Sequence, residues 1–314
     1  MGYVIAWKER PRPIDWGGEF GRKAPLEVEI GFGRSGYLAR QAEARPEHDY
    51  LGIEAKYDRV AGMARRLAQS GPANLRLIRA DAWVALERLF QPQSLQRVYS
   101  LFPDPWPKPR HIRHRLFSRS FLKLLNSRLV SDGDAFLVTD HSSYAEWVCE
   151  QAPGSGFLIQ RRLTRPRFGT EFERQWRDEG QQRFFEISFS KQKHLDVPLI
   201  EDVELREHRL KHFDFENFSL RNQRGEAVVQ FKVLKHYPES EIGKVVVVVA
   251  EGRLLQHVWI EVRRVEGLWT VSLDPRRSGD IVPTKGVQMA LDLVREGGGE
   301  VSRKAAKTLR KTAK

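Results

Sequence analysis

The residues best suited to chemistry lie in Phe102-Pro103-Asp104-Pro105-Trp106-Pro107-Lys108, followed at once by Pro109-Arg110-His111-Ile112-Arg113-His114-Arg115. Prolines at 103, 105, 107 and 109 deny the first stretch both helix and central strand. Asp104 has a proline on each side, and a residue before proline is held extended. A stiff loop therefore aims one carboxylate, one indole and one lysine, with arginines behind them. That arrangement suits a site that modifies a base of a nucleic acid. It also describes a proline-rich surface turn beside solvated charges, so the rest of the chain must decide.

Three more acids stand at comparable places. Leu26 to Ile30 reads as a buried strand, and Gly31-Phe32-Gly33-Arg34-Ser35-Gly36 turns into a helix over about 35–44. Strand, glycine turn and helix open a doubly wound nucleotide-binding fold. Here the spacing is Glu-x-Gly-x-Gly, with Glu29 just before the glycines and no phosphate-binding lysine after them. An acid at that strand end repels a pyrophosphate and suits a cationic ligand such as S-adenosylmethionine. Glu54 ends the second strand, Asp49 to Ile53, where the ribose-binding acid of such folds sits. Asp81 follows the third strand, Asn74 to Arg79, and could meet an adenine amino group. Each acid alone is equally an N-cap or a solvated loop acid. Three in register at successive strand ends point to one ligand.

The elements that must position these residues follow in order. An amphipathic helix covers 56–69. Leu95 to Leu101 is a fourth strand delivering Asp104, Leu116 to Val130 a helix, and Ala135 to Thr139 a fifth strand delivering Asp140. A helix over 144–151 and strands at 157–161 and 184–189 close the pattern. The expected fold is α/β: a doubly wound, seven-stranded Rossmann-like methyltransferase sheet over residues 1–194. Lys108, Arg110, Arg113 and Arg115 would then bind phosphates, and Asp104 and Asp140 would grip the base.

Bulk properties agree with this. The chain has 314 residues, a net charge of +12 and a single cysteine, Cys149. The cationic excess sits mainly in residues 1–194 and favours a polyanionic partner. One cysteine excludes an internal disulfide and fits a cytoplasmic protein. No apolar run of membrane-spanning length and no signal peptide stand out, so no membrane association is expected.

On these residues the chain resembles the tRNA (guanine-7-)-methyltransferase family, bacterial type. The resemblance is carried by Glu29-Ile30-Gly31-Phe32-Gly33, Gly52-Ile53-Glu54, Asp81-Ala82, Phe102 to Trp106 with Lys108, the basic run 110–115, Thr139-Asp140 and Thr170-Glu171-Phe172-Glu173. It implies methyl transfer from S-adenosylmethionine to N7 of the variable-loop guanine of tRNA. It implies that Glu29, Gly31, Gly33, Glu54, Asp81 and Asp104 bind the cofactor, with Asp104 also catalytic. Lys108, Asp140, Thr170, Glu171, Phe172 and Glu173 would bind substrate, and Arg110, Arg113 and Arg115 would bind RNA. No metal and no obligate protein partner are implied. His114 departs from the family, which has a further basic residue there. The rival readings are a non-catalytic RNA-binding protein on this fold, a methyltransferase for another RNA, a protein or a small molecule, and a dehydrogenase. The retained acids count against the first, the basic run against a protein or small-molecule substrate, and Glu29 against a dehydrogenase; another RNA remains the alternative substrate.

The family usually ends near Lys193, so the remaining residues are read on their own. Strand-like runs at 227–234, 244–250, 255–262 and 268–273 are split by turn signals at Arg224-Gly225, Glu251-Gly252 and Glu266-Gly267. A helix over about 284–296 should stop at Gly297-Gly298-Gly299. This is a small α+β module over 195–300, followed by a basic tail, 301–314, that is either solubilising or in contact with RNA. His208 and His212 share a helical spacing, but no third ligand converges on them for zinc.

Overall fold

The structure is a computed structural model describing residues 2–180, 183–220 and 222–299. It divides into two compact units, the first ending at Glu201 and the second beginning at Asp202. The basic tail expected at 301–314 lies outside the described residues.

In the first unit α1 (Trp16–Phe20) precedes β1 (Leu26–Ile30), α2 (Tyr37–Ala44), β2 (Asp49–Glu54), α3 (Tyr57–Ser70), β3 (Leu75–Arg79), α4 (Ala82–Arg88) and β4 (Leu95–Leu101). Then follow α5 (Arg119–Arg128), β5 (Leu129–Thr139), α6 (Ser142–Gln151), β6 (Phe157–Thr164), α7 (Glu171–Asp178) and β7 (Phe184–Lys191). The sheet order is β3-β2-β1-β4-β5-β7-β6. Strands β1 to β5 pair in parallel and β7 runs antiparallel to both β5 and β6. Every residue of β1 and β2 is buried, as expected where helices cover both faces of a parallel sheet. This is the seven-stranded α/β fold expected from the sequence. The lead-in tryptophans pack on this body: Trp7 Nε1 donates to the Arg79 carbonyl at 2.8 Å and Trp16 Nε1 to the Leu89 carbonyl at 3.1 Å.

Beyond β7 the chain is irregular, and Arg128 holds it. The arginine is fully buried. Its Nε donates to the Leu86 carbonyl at 2.8 Å, Nη1 to Val197 at 2.8 Å and Nη2 to Pro198 at 3.3 Å. One guanidinium thereby satisfies three carbonyls from two separated segments.

The second unit contains β8 (His208–Leu210), β9 (Val228–Tyr237), β10 (Ile242–Glu251), β11 (Leu254–Val265), β12 (Leu268–Leu273) and α8 (Lys285–Gly298). Its antiparallel sheet has the order β8-β12-β11-β10-β9. The turn Glu266-Gly267 has positive φ at both residues, 50° and 81°, which matches the twist of a two-residue hairpin. One expectation needs correction: His208 lies in a strand, not a helix, and its Nε2 meets Asp292 Oδ1 at 2.7 Å. Helix α8 ends within the expected glycine run, at Gly298 with Gly299 as its C-cap. A Cβ on Gly298 would sit 2.3 Å from the Phe213 ring. That glycine also serves close packing.

Replacing Arg128 by alanine orphans three carbonyls at about 1–3 kcal/mol each where burial persists. The expected loss is at least ~2 kcal/mol in urea unfolding. An unchanged midpoint would show that other contacts hold residues 195–201.

Candidate active site

The carboxyl ends of the parallel strands form one edge, and the site is built along it. Register pairs Ile30 with Ile53 and Glu54 with Arg79, so Glu29, Glu54 and Asp81 come from successive strand ends. The chain leaves β1 through Gly31 (φ 75°) and Gly33 (φ 57°), left-handed positions that glycine fills without strain. Gly31 N–H donates to the Ile53 carbonyl at 2.7 Å, and Gly33 N–H donates to Glu54 Oε2 at 3.2 Å. Glu54 also accepts from Lys56 N–H at 3.0 Å and lies 3.5 Å from Arg59 Nη1. It is buried but bonded on both oxygens.

Glu29 is buried and poorly bonded. Its Oε1 accepts a long bond, 3.5 Å, from Ser35 Oγ, the Leu38 backbone N–H adds a further pull, and among the described residues its Oε2 has no partner. Burial pushes its carboxyl up to about 8, against the opposing pull of Ser35 and Arg40. Asp81 caps α4, with Oδ1 accepting from Trp83 N–H at 2.9 Å and Val84 N–H at 3.2 Å. Its cap role and a ligand role are compatible, because Oδ2 takes neither bond.

The loop carrying Asp104 follows β4. Two non-glycine residues flanking it have positive φ, Phe102 at 55° and Trp106 at 43°. Such strain persists only where the surroundings impose it. Phe102 is packed between Phe172 (centroids 5.9 Å) and Phe184 (5.1 Å). On the other side, Arg115 Nε donates to the Pro105 carbonyl at 2.9 Å and Nη2 to Trp106 at 3.4 Å. The same guanidinium lies over Tyr144 and Trp147 of α6, at 5.4 and 5.1 Å. The sequence grouped Arg115 with Arg110 and Arg113 as RNA contacts. In the structure Arg115 differs from those two: it is buried, and its guanidinium joins the Asp104 loop to α6. Asp104, Lys108, Arg110 and Arg113 are exposed, the two arginines on a 3-10 helix, Pro109–His114. Asp140 is half-buried directly after β5.

The segment before α7 closes this group. Thr170 Oγ1 accepts from Glu173 N–H at 3.0 Å, while the Glu173 carboxylate accepts from Arg167, Phe168 and Thr170 N–H at 3.0, 3.1 and 3.2 Å. This is a capping box. The buried side chains of Thr170 and Glu173, read from the sequence as substrate-binding, are thus engaged in shaping the turn. Glu171 and Phe172 are the pair left exposed.

The comparisons follow this geometry. A family model described as "Putative methyltransferase" matches residues 23–185. A tRNA (guanine-N(7)-)-methyltransferase of Chlorobium phaeobacteroides is 42% identical over 172 residues, covering 55% of this chain and 84% of that protein. The chain belongs to the tRNA (guanine-N(7)-)-methyltransferase family. The enzyme of that name from Thermotoga maritima is 29% identical over 287 residues, 87% of this chain and 90% of its own. Similarity of that extent reaches into the second unit, so the expectation that the resemblance ends near Lys193 is corrected. A Thermus thermophilus enzyme of the same name is 38% identical over 55% of this chain and 56% of its own.

In this family member some site residues escaped the sequence reading. Arg40 Nη2 on α2 donates to the carbonyls of Phe168 at 2.6 Å and Gly169 at 3.3 Å, tying the glycine-turn helix to the α7 loop. Nothing in a helix-surface arginine signals a partner so distant in sequence. Tyr144 and Trp147 were equally silent, although helical spacing does put both on one side of α6. Among the described residues, no group of three or more His, Cys, Asp or Glu could hold a metal ion. No described helix is long and apolar enough to cross a membrane.

If Arg115 is the clamp, Arg115→Ala should speed amide hydrogen exchange at Asp104, Trp106 and Lys108, whereas Arg110→Ala and Arg113→Ala should not. Equal protection of that peptide in all three variants would return Arg115 to the exposed basic run.

Proposed function

We propose that this protein transfers a methyl group from S-adenosylmethionine to N7 of the variable-loop guanine of tRNA, giving 7-methylguanosine. The observation that carries the reading is Glu29: a buried carboxylate with an unpartnered oxygen, placed where a phosphate-binding fold would keep acid away, in a chain of this family. The fit to the cofactor is chemical. A cationic ligand without phosphate bonds the free oxygen and favours its ionised form. Bound there, S-adenosylmethionine supplies an electrophilic methyl group on a sulfonium.

The residues suited to hold it are Glu29 for the ammonium, Glu54 for the ribose hydroxyls, and Asp81 for the adenine amino group through its spare oxygen. Gly31 and Gly33 let backbone approach the ligand closely. Guanine N7 is a lone-pair nucleophile with no proton to lose, so the chain need not provide a strong base. Its task is alignment, together with drawing the base out of its stack. Asp104 and Asp140 are suited to accept from guanine N1–H and the 2-amino group, a donor pair that only guanine offers. Phe172, exposed and stacked on Phe102, offers the base an aromatic face. Lys108, Arg110 and Arg113 are the phosphate contacts. Arg115 serves by holding Asp104 in place.

The raised Glu29 carboxyl gives a pH signature. A carboxyl raised on folding lowers the stability of the free protein as pH climbs from the ordinary 4.5 to about 8. Cofactor binding should reverse this, because a cation favours the ionised form. Binding at pH 7 should therefore release close to one proton, and affinity should rise towards pH 8 and then level. Calorimetry in buffers of different ionisation enthalpy measures the proton. Glu29→Gln should abolish its release, and a wild-type protein that releases none would refute the role.

For Asp104, single-turnover methylation of tRNA should fall in the order wild type, Asp104→Asn, Asp104→Ala. The alanine variant should be slower by on the order of a hundredfold, with tRNA affinity nearly kept because the phosphate contacts remain. A wild-type rate for Asp104→Ala would reduce the loop to a scaffold for the cations after it.

A further inference from the structure

We infer that the uncovered face of the second unit's sheet is an RNA-binding surface, and that its ligand is the tRNA on which the first unit acts. For that ligand the inference rests on the function proposed above. In a strand, successive side chains point to opposite faces. One face is accounted for: Val245, Val247 and Val249 of β10 and Val258, Ile260 and Val262 of β11 form a core with Val287, Ala290, Leu291 and Val294 of α8. The alternating residues point the other way. They centre on Trp259 of β11, which pairs with Val246 of β10, itself paired with Val233 of β9.

Two features of this face are unlike ordinary solvent-exposed sheet. The first is apolar exposure: Val233, Tyr237, Leu255 and Val265 are all exposed, and by alternation all four point to this face. The second is the sorting of charge. Its two acids, Glu261 and Asp274, are buried and bridged by Lys244, which donates to Glu261 and, at 2.8 Å, to Asp274. The exposed charges on this face of the strands are cations: Arg209 of β8, Lys235 of β9, Lys232 at the bulge in β9, and Arg263 of β11, which pairs with Glu261 at 2.7 Å; Arg277 follows β12. Arg277 lies over the Trp259 ring at 4.9 Å.

Aromatic side chains among exposed cations, with the acids buried and neutralised, are what an RNA strand requires. Bases stack on rings, and phosphates meet lysine and arginine. A protein partner of ordinary composition would not need the charge to be sorted this way.

The test uses the full chain and deacylated tRNA, with binding read by fluorescence anisotropy across a salt series. Lys232 and Lys235 have no acid partner among the described residues, so Lys232→Glu/Lys235→Glu can be made without breaking an ion pair. It should weaken tRNA binding by about tenfold or more and flatten the salt slope by about two. S-adenosylmethionine affinity and the melting temperature should stay unchanged. Tyr237→Ala should weaken binding with the slope kept, because stacking releases no counterions. Wild-type affinity and slope in both variants overturn the proposal. So does altered self-association with tRNA binding intact, which would assign the face to a second copy of the chain. A wild-type protein that binds no tRNA removes the tRNA reading and this one together, whereas wild-type binding with unaffected variants removes this one alone.

Discussion

A carboxylate buried near the end of β1, with one oxygen unbonded among the described residues, is the constraint around which the first unit is arranged. An uncompensated buried charge costs several kcal/mol, and Glu29 avoids that cost in the free protein by holding its proton to about pH 8. The surroundings keep this state intact. Five consecutive buried residues hold β1 between β2 and β4. The left-handed glycines turn the chain sharply, so that Gly33 N–H reaches Glu54 rather than Glu29. Ser35 offers it one long hydrogen bond, with a weaker pull from the Leu38 backbone. On the function proposed, the stability given up at this position becomes binding free energy for the cationic cofactor.

Arginine does a second task in this molecule that net charge conceals. Arg40 donates to Phe168 and Gly169, Arg115 to Pro105 and Trp106, Arg128 to Leu86, Val197 and Pro198. Each of these carbonyls is reached from another part of the chain, and most lie in irregular segments, where it has no ladder partner. A buried carbonyl needs a donor, and a guanidinium brings five on one rigid fork. The site's irregular parts, the Asp104 loop and the turn before α7, are both fastened in this way. A charge of +12 therefore overstates what is available to a polyanion.

Much of this was legible in the sequence where the signal is local. The glycine turn, the acids at strand ends and the proline-stiffened loop each depend on a few adjacent residues, and each sits where its spacing implied. Length and partners were less legible. Strand β5 begins at Leu129 rather than Ala135, because Asp132 and Asp134 disguise a strand whose polar side meets solvent and Arg97. Helix α7 was passed over as a link, although Thr170 and Glu173 spell a capping box three residues apart. Arg115 could not be told from Arg110 and Arg113, since burial depends on α6, whose residues lie some thirty positions on. In the second unit the turns revealed the hairpins, but which face α8 covers is a tertiary fact that alternation alone does not contain.

The chemistry explains where the structure is stiff and where it is not. Methylating a lone pair needs no proton transfer, so the rate depends on alignment, and alignment is cheapest when the aligning group is ordered before substrate arrives. The Asp104 loop has stiffness from several independent sources: two prolines, two strained residues, the Phe102 packing and the Arg115 clamp. Lys108 shares the proline stiffening, between Pro107 and Pro109, but its side chain and those of Arg110 and Arg113 stand exposed on the adjoining turn. On the function proposed these are phosphate contacts, and such a contact tolerates exposure, because a long cationic side chain can follow an RNA backbone with little loss of Coulomb attraction. On that same reading, an Arg115 exposed like its neighbours would add one phosphate contact at the expense of the fixed carboxylate, and the aligning charge would become the least well placed.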